Sequence, residues 1–394
     1  MPVQGFSGTN RKNMMMTRRE RLMATLEGRT VDRPAVSFYE LDALDFNAPP
    51  DFDPFYVYAH PSWRPLAELV REETDRIVIR GAAFEDLLPD PLKHLASDKT
   101  WIDEEGRRIT HRKIAAGSRV LTMRTRQDPD VDTVWTTEHL LKDLGDLDAF
   151  LDLPEFESGE PVDPTTVLAT EAALGDSGIV MIDIPDPLHL SASLFELGQY
   201  TIIATMEQRR FRRLLDRFFS LLVPKIEAVA RLLPGRLWRI TGPEYAAPPY
   251  LRPSLFREYV CPYVGRMVEI IQSTNGYARL HCHGNTRAIL DDMARTGADA
   301  IDPIEPPPQG DVELEYVRRC YGKQFALFGN LEIADIENMP TRQFAEKVKR
   351  ALDDGTKGEG RGFVLMPSSS PYGRVLSPLT VKNYEKIIEL VRSF

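Results

Sequence analysis

ARLHCH (residues 278–283) is one of six short apolar runs between residue 178 and residue 368, separated from one another by segments with a helical pattern. The other five are GIVMID (178–183), LWRIT (237–241), DAID (299–302), FALFGN (325–330) and GFVLMPS (362–368). Two earlier runs, RPAVSFYE (33–40) and DRIVIR (75–80), bring the number of predicted strands to eight. Because a closed (β/α)8 barrel needs eight strands that alternate with helices, we expect an α/β fold of the TIM-barrel type.

A different pattern interrupts this alternation between residues 98 and 136. TWIDEEGRRITHRKI has the form strand–turn–strand, with Glu105 and Gly106 at the turn, and RVLTMRT and TVWTT continue it. We therefore predict a β-rich insertion over residues 98–136 that caps one end of the barrel. Residues 17–394 are expected to form a single domain. Residues 1–16 are polar, lack a signal-peptide pattern and are expected to form a disordered lead-in.

The composition excludes several classes of protein. Hydrophobic residues make up 42% of the chain and charged residues 27%, which suffices for a large buried core. A net charge of -10 with interspersed signs argues against a nucleic-acid partner, because phosphate binding needs a basic face. No apolar stretch is long enough for a membrane span. Three cysteines are too few for a disulfide framework and fit a cytoplasmic protein, for which we keep a homodimer open.

Polar residues cluster just after the late strands, where barrels of this type carry their active sites. We predict that three of these residues place the substrate or transfer a proton: Asp183, Tyr245 and Glu305. Contacts to a small-molecule substrate are predicted for four more: Tyr39, Asp186, Asn330 and Ser369. Ordinary structural roles stay open for several of them, because Asp183 and Asp186 stand in a proline-rich turn and Asn330 could cap the next helix.

The sharpest local pattern is His281-Cys282-His283 at the end of a predicted strand. On an extended strand residues i and i+2 point to the same face, so both imidazoles can reach one ion while Cys282 points away. Glu244 closes the preceding barrel strand and is the natural third ligand. Two histidines and a carboxylate with an open position suit a catalytic zinc ion. A pair of hydrogen-bonded histidines without metal is the alternative.

The chain from about residue 240 onward resembles uroporphyrinogen decarboxylase-like proteins. The resemblance rests on ITGPEYAAPPYLRPSLFREYVCPY, LHCHGN, GADAIDPIEPPPQGDVEL, FALFGNLE and the serine-rich loop that leads to SPLTVKNY. The opening stretch, RRERLMATLEGRTVDRPAV, is similar to the family's first helix and strand. The resemblance implies a (β/α)8 barrel with one of two chemistries. One is metal-free decarboxylation of the acetate arms of a porphyrinogen, and the other is zinc-dependent methyl transfer that involves a corrinoid protein.

Departures from the family patterns bear on this choice. The decarboxylases carry an Arg-Gln-Ala-Gly-Arg motif after the first strand that binds substrate carboxylates, whereas SFYELDALDF (37–46) has no arginine and three acidic residues. These charges would repel a polycarboxylate. The methyltransferases bind zinc at a His-x-Cys-Gly motif and a later cysteine. His281 matches the family histidine, His283 stands where the cysteine would be, and Ser369 or a neighbour replaces the later cysteine.

The resulting hypothesis is a zinc-dependent methyltransferase of the O-demethylase kind. It would transfer the methyl group of a small methoxylated substrate to the corrinoid of a separate partner protein. The first alternative is a decarboxylase or lyase that acts on a carboxylated substrate without metal. The second is a non-catalytic barrel that binds a tetrapyrrole or a corrinoid.

Overall fold

The structure, a computed structural model, describes residues 15–42, 53–81, 95–154 and 162–394, and for Tyr39 and Glu40 only the backbone. All but the last two residues of the predicted lead-in therefore lie outside the described residues, as does Asp45, one of the three acidic residues of SFYELDALDF. Within the described ranges, no helix is both long and apolar enough to cross a membrane.

The strands of the described residues, in chain order, are β1 (Ala35–Val36), β2 (Arg76–Ile79), β3 (Ala96–Ile102), β4 (Arg108–Ala116), β5 (Arg119–Gln127), β6 (Val134–Glu138), β7 (Gly178–Pro185), β8 (Leu237–Thr241), β9 (Tyr277–His281), β10 (Ala300–Asp302), β11 (Ala326–Leu331) and β12 (Phe363–Pro367).

The helices of the same residues are α1 (Arg18–Leu26), α2 (Tyr39–Asp42), α3 (Arg64–Glu73), α4 (Leu144–Leu151), α5 (Thr165–Leu174), α6 (Pro187–Ala192), α7 (Leu197–Met206), α8 (Gln208–Leu232), α9 (Pro253–Tyr259), α10 (Cys261–Gln272), α11 (Leu290–Arg295), α12 (Leu314–Tyr321), α13 (Ile333–Asn338), α14 (Thr341–Thr356) and α15 (Pro378–Ser393).

Eight parallel strands form one curled sheet in the order β1-β12-β11-β10-β9-β8-β7-β2. The two edges approach each other just before β2, where the backbone N–H of Asp75 donates to the carbonyl of Val36 at 2.7 Å. Helices lie between successive strands, so that each strand is followed by a return across the outside of the sheet. The predicted (β/α)8 TIM-barrel fold is confirmed.

The inside of the barrel is apolar at its amino-terminal end. Side chains at alternate strand positions meet there, and α1 contributes two leucines that cover the cluster; its buried members are Leu22, Leu26, Ala35, Ile77, Ile179, Met181, Leu237, Ala300, Ala326, Phe328, Val364 and Met366. Because successive inward positions are two residues apart, the next inward residues of β7 to β10 are Asp183, Arg239, Arg279 and Asp302. The barrel therefore changes from apolar to charged toward the carboxyl ends of its strands.

The β-rich insertion is confirmed as a separate antiparallel sheet of four strands, β3-β4-β5-β6. Its strands run from Ala96 to Glu138, slightly beyond the predicted bounds, and Gly106 occupies the predicted turn with φ of 76°. Ile114 and Leu121 face each other across β4 and β5 and are buried in the main hydrophobic core. An ion pair between Asp130 and Arg374 joins the β5–β6 turn to the loop that follows β12, at the carboxyl end of the barrel.

The first strand is much shorter than predicted. The run RPAVSFYE (33–40) was expected to be extended throughout, but only Ala35 and Val36 are in β1, and the chain turns into α2 at Tyr39. The ring of Phe38 packs edge-on against that of Tyr384 in α15, with centroids 4.7 Å apart. Phe38 lies inside the predicted strand, so a contact with a distant helix takes the place of the strand that the apolar pattern predicted there.

Candidate functional site

Two ion pairs, one partly exposed and one fully buried, line the upper part of the barrel. The guanidinium of Arg239 in β8 donates two hydrogen bonds to Asp183 in β7, at 2.6 and 2.8 Å. Arg279 in β9 pairs with Asp302 in β10 at 3.0 Å, and both side chains are completely buried. The guanidinium of Arg279 also lies 5.0 Å from the ring centre of Phe328. These pairs give the floor of the site a fixed arrangement of charge beneath the strand ends.

His281, the last residue of β9, is oriented by the neighbouring strand. It pairs in register with Asp302 of β10, and its Nδ1 lies 2.7 Å from Oδ2 of that carboxylate. Burial alone would raise the pKa of Asp302, but the charges of Arg279 and His281 outweigh it and lower that pKa to about 2. Because an ionised carboxylate only accepts hydrogen bonds, Nδ1 of His281 is the donor and carries a proton.

His283 is held in the same way two residues further on. Its Nδ1 lies 2.8 Å from Oε1 of Glu305, whose other oxygen accepts the backbone N–H of Gly284 at 2.7 Å. Burial alone would lower the pKa of His283, but the hydrogen bond to Glu305 and the charges of Glu305 and Glu244 raise it. In turn the pKa of Glu305 is lowered by His283, despite the opposing effect of burial. Glu305 therefore acts as an ionised partner of the imidazole.

The two imidazoles meet, as the His-x-His spacing predicted. Their ring centres are 4.5 Å apart with the planes at 85°. Since each Nδ1 is engaged by a carboxylate, each Nε2 is left for a ligand, which is the usual arrangement of metal-binding histidines. Cys282 between them is packed in the hydrophobic core, where burial raises the pKa of its thiol well above the usual value.

These residues fit two of the ligand positions of a zinc ion. The nitrogen donors, their protonation and their carboxylate partners all agree with such a role. Across the described ranges, however, no group of three or more His, Cys, Asp or Glu side chains is gathered closely enough to hold a metal ion. The role of Glu244 as the third zinc ligand therefore stays a prediction.

Glu244 and Tyr245 lie in the turn after β8, which contacts α6. A carboxylate oxygen of Glu244 accepts the backbone N–H of Gly242 at 3.1 Å, and Gly242 has φ of 124°. A side chain at position 242 would collide with Asp186 and His189, so glycine is required there. The ring of Tyr245 stands edge-on to that of His189, with centroids 5.5 Å apart. Tyr245 is half-buried and lies beside the site.

Asp186 caps the helix that follows β7. Its Oδ1 accepts the backbone N–H of His189 at 2.7 Å, while its Oδ2 has no hydrogen-bond partner among the described residues. Burial, with the charge of Glu244, raises the pKa of Asp186 well above its usual value. Burial also lowers the pKa of His189, whose Nδ1 is buried without a partner in the described part of the chain. The turn-shaping alternative for Asp186 is therefore realised, and its role in substrate binding stays a prediction.

The remaining predicted residues are less closely gathered. Asn330 is half-buried at the end of β11, and Ser369 is exposed in the loop after β12. Tyr39 begins α2, but its side chain lies outside the described residues. The acidic residues of SFYELDALDF were expected to repel a polycarboxylate, and for Asp42 this expectation is wrong. Asp42 forms an ion pair with Arg76, which compensates its charge. The missing arginine motif still distinguishes this stretch from the decarboxylases.

Sequence reasoning missed Glu332, which follows β11 directly. Its side chain is buried, and one carboxylate oxygen lies 3.3 Å from the hydroxyl of Ser368 at the end of β12. The other oxygen is buried without a hydrogen-bond partner among the described residues. Burial, with the negative charge of Glu305, raises the pKa of Glu332 to about 7. The sequence contained one feature that could have identified Glu332, namely its position just after the predicted strand in FALFGNLE.

Residues 241–393 match the Uroporphyrinogen decarboxylase (URO-D) family. No curated protein matches the sequence of the chain. Among solved structures, a methyltransferase from Methanosarcina mazei superposes with a TM-score of 0.58 at 15% identity, over 96% of this chain and 98% of that chain.

Two structures of D-psicose 3-epimerase match less of the chain. The enzyme with D-tagatose, from Clostridium cellulolyticum H10, has a TM-score of 0.35 at 11% identity, over 59% of this chain and 83% of that chain. The enzyme in the presence of D-fructose has a TM-score of 0.31 at 9% identity, over 60% of this chain and 91% of that chain.

The family match covers the strands and loops that carry His281, His283, Asp302, Glu305 and Glu332. At 15% identity the likeness to the methyltransferase shows a common fold, which extends over nearly the whole of both chains. These findings confirm the predicted resemblance of the chain to the uroporphyrinogen decarboxylase-like superfamily.

Proposed function

We propose that this barrel is a zinc-dependent methyltransferase that removes the methyl group of a small methoxylated substrate and passes it to the corrinoid of a partner protein. The observation that carries the proposal is the pair of imidazoles at the end of β9. Each is oriented by a carboxylate through Nδ1, at 2.7 and 2.8 Å, and each keeps Nε2 for an ion.

His281 and His283 would hold the zinc ion, with Glu244 as the third ligand. Bound there, the ion would act as a Lewis acid on the methoxy oxygen and so make it a better leaving group. Asp302 and Glu305 keep the two imidazoles in the tautomer that presents Nε2. The oxygen donor predicted here in place of the family's thiolates would leave the ion more electron-withdrawing, which suits an oxygen leaving group.

Other rim residues would place the substrate. Asp186 follows β7, and Glu244 and Tyr245 follow β8. Asn330 lies near the end of β11, on the opposite side of the histidine strand. Asp183 is bound by Arg239 at 2.6 and 2.8 Å, so it is better suited to fixing a polar substrate group than to transferring a proton. Glu305 is likewise committed to His283.

The comparisons support a methyltransferase in general terms. The Methanosarcina mazei protein is named as a methyltransferase and shares the barrel over 96% of this chain. The absence of an arginine from SFYELDALDF removes the expected contacts for a porphyrinogen carboxylate. Neither observation identifies the methyl donor.

The proposal is tested by a methyl-transfer assay with the zinc-loaded chain, a reduced corrinoid and a panel of methoxylated arenes and acids. Appearance of the methylcorrinoid spectrum, together with release of the demethylated product, is expected for at least one substrate. His281→Ala and His283→Ala should abolish both signals, while the exposed-residue variant Lys349→Ala should not. Failure of the whole panel with a competent corrinoid would contradict the proposal.

Two observations favour a second candidate, a metal-free decarboxylase or lyase that acts on a small carboxylic acid. The described residues do not gather three metal-binding side chains, and the family match is to a decarboxylase. Turnover of a carboxylated substrate that is unchanged by a strong chelator would support this candidate. Loss of turnover in chelator, restored by zinc, would support methyl transfer.

A further inference from the structure

Glu332 differs in its partners from three other carboxylates of the site, Asp302, Glu305 and Asp183. Asp302 is bound by Arg279 and His281, Glu305 by His283, and Asp183 by Arg239. Glu332 meets only the hydroxyl of Ser368 at 3.3 Å, and its second oxygen is buried without a partner in the described residues. No cation among the described residues forms an ion pair with it.

The surroundings of Glu332 favour its neutral form. Burial acts most strongly against its ionisation, and the carboxylates of Glu305 and Asp335 act in the same direction, while the hydrogen bond from Ser368 and the charge of His283 act in favour of it. Lys347 and Arg350 of α14 line the same pocket, but they pair with Asp335 and Glu313 instead. A buried carboxyl with acidic neighbours and no cation keeps its proton to a higher pH.

Glu332 also has a route for exchanging protons with solvent. It lines a pocket of about 160 Å³ together with Asn330, Leu331, Pro306 and Pro307. That volume holds several water molecules. Pro306 and Pro307 in the pocket wall follow Glu305 directly in the chain, and Glu305 binds His283, so the pocket adjoins the segment that orients this imidazole.

We propose that Glu332 is the general acid of this site and protonates the oxygen that methyl transfer releases, through one bridging water. This inference rests on the proposed function. In the step, the bond between the methyl carbon and the oxygen breaks and the electron pair stays on the oxygen. The methyl group goes to the reduced corrinoid, the oxygen takes a proton from the water, and the water takes one from Glu332. Solvent in the pocket then reprotonates Glu332.

The decisive experiment compares substrates whose leaving oxygens differ in basicity. Glu332→Gln keeps the shape of the side chain but removes its proton. With anisole, whose phenoxide needs protonation, the variant should lose about 100-fold in kcat, as expected for a general acid. With 4-nitroanisole, whose leaving group is stable without a proton, the loss should be less than about threefold. Glu332→Asp should recover part of the rate with anisole, and the exposed variant Glu346→Gln should match the unmodified chain.

An equal loss on both substrates would assign Glu332 a structural role and overturn the inference. A second measurement does not depend on turnover. The infrared difference spectrum between pH 6 and pH 8 should show a protonated carboxyl band that is missing in Glu332→Gln. Identical spectra for the two proteins would also overturn the inference. Presence of the band without turnover of any substrate would support Glu332 as a proton carrier and contradict the methyl-transfer function instead.

Discussion

Each imidazole of the His281–His283 pair is oriented by a carboxylate that comes from the end of the next strand, β10. Asp302 is the last residue of that strand, and Glu305 stands three residues beyond it. The first of these carboxylates also neutralises Arg279, whose side chain is completely buried. One residue, Asp302, thus connects the electrostatics of the barrel interior with the orientation of a proposed metal ligand.

Replacing Asp302 with asparagine should therefore destabilise the fold strongly. The change removes the negative charge that Asp302 supplies to the buried guanidinium of Arg279, and breaking such a buried pair costs about 3–5 kcal/mol. Urea unfolding followed by tryptophan fluorescence would measure the loss. Glu346→Gln, which removes an exposed ion pair with Lys349, should change the free energy of unfolding by less than about 1 kcal/mol. Equal effects of the two substitutions would contradict the importance of the buried pair.

Glu305 tests whether the carboxylate partners matter for metal binding. Its hydrogen bond fixes the tautomer of His283, so Glu305→Gln should weaken zinc binding by about 10–100-fold while leaving the ligands in place. Competition with a chromophoric chelator would measure the affinity. Glu313→Gln, a change of the same kind at an exposed ion pair, is the matched control. Unchanged zinc affinity in Glu305→Gln would argue that His283 is not a ligand.

Glu332 should leave a signature in the pH dependence of stability. Its pKa is about 7 in the folded chain and 4.5 in the ordinary state. Between these values the unfolded chain loses the proton while the folded chain keeps it, so this carboxyl makes folding less favourable as the pH rises. The free energy of unfolding of Glu332→Gln, relative to the unmodified chain, should therefore increase by about 1–3 kcal/mol from pH 4 to pH 8. Parallel pH profiles would contradict the raised pKa.

At the scale of elements, the strands of the barrel could be predicted from the sequence. Each strand is buried on both faces, so it appears as a short apolar run with helical segments on either side. LWRIT, for example, coincides with β8. The predicted length of the first strand was wrong. Phe38, near its end, packs on Tyr384 in a helix more than 300 residues away in the chain, and no local pattern shows such a contact. The insertion was predicted from alternation and a glycine turn, both of which are local signals.

The insertion sheet offers a test of its own packing. Leu121 is 1% exposed and faces Ile114, whereas its neighbour Val120 is 63% exposed. Leu121→Ala should lower the free energy of unfolding by about 2–5 kcal/mol, and Val120→Ala should change it by less than about 0.5 kcal/mol. Denaturant unfolding of both variants measures the difference. A similar small effect at both positions would mean that the sheet is not packed on the core.

At the scale of the whole molecule, the sequence predicted where the site lies better than how it works. The His-x-His spacing predicted the meeting of two imidazoles because both residues belong to one strand end. The partners of these histidines could not be predicted, since they depend on the register between β9 and β10. Glu332 was missed for a related reason, because burial and the lack of a cation are properties of the assembled barrel.

The metal content of the purified chain tests the central claim most directly. After incubation with zinc and removal of the excess, elemental mass spectrometry should find about one zinc per chain. His281→Ala and His283→Ala should each lose it, Glu244→Ala should lose it if this carboxylate is the third ligand, and His111→Ala in the insertion sheet should retain it. Absence of zinc from the intact chain, or an unchanged content in both His281→Ala and His283→Ala, would contradict a metal-dependent site at the end of β9.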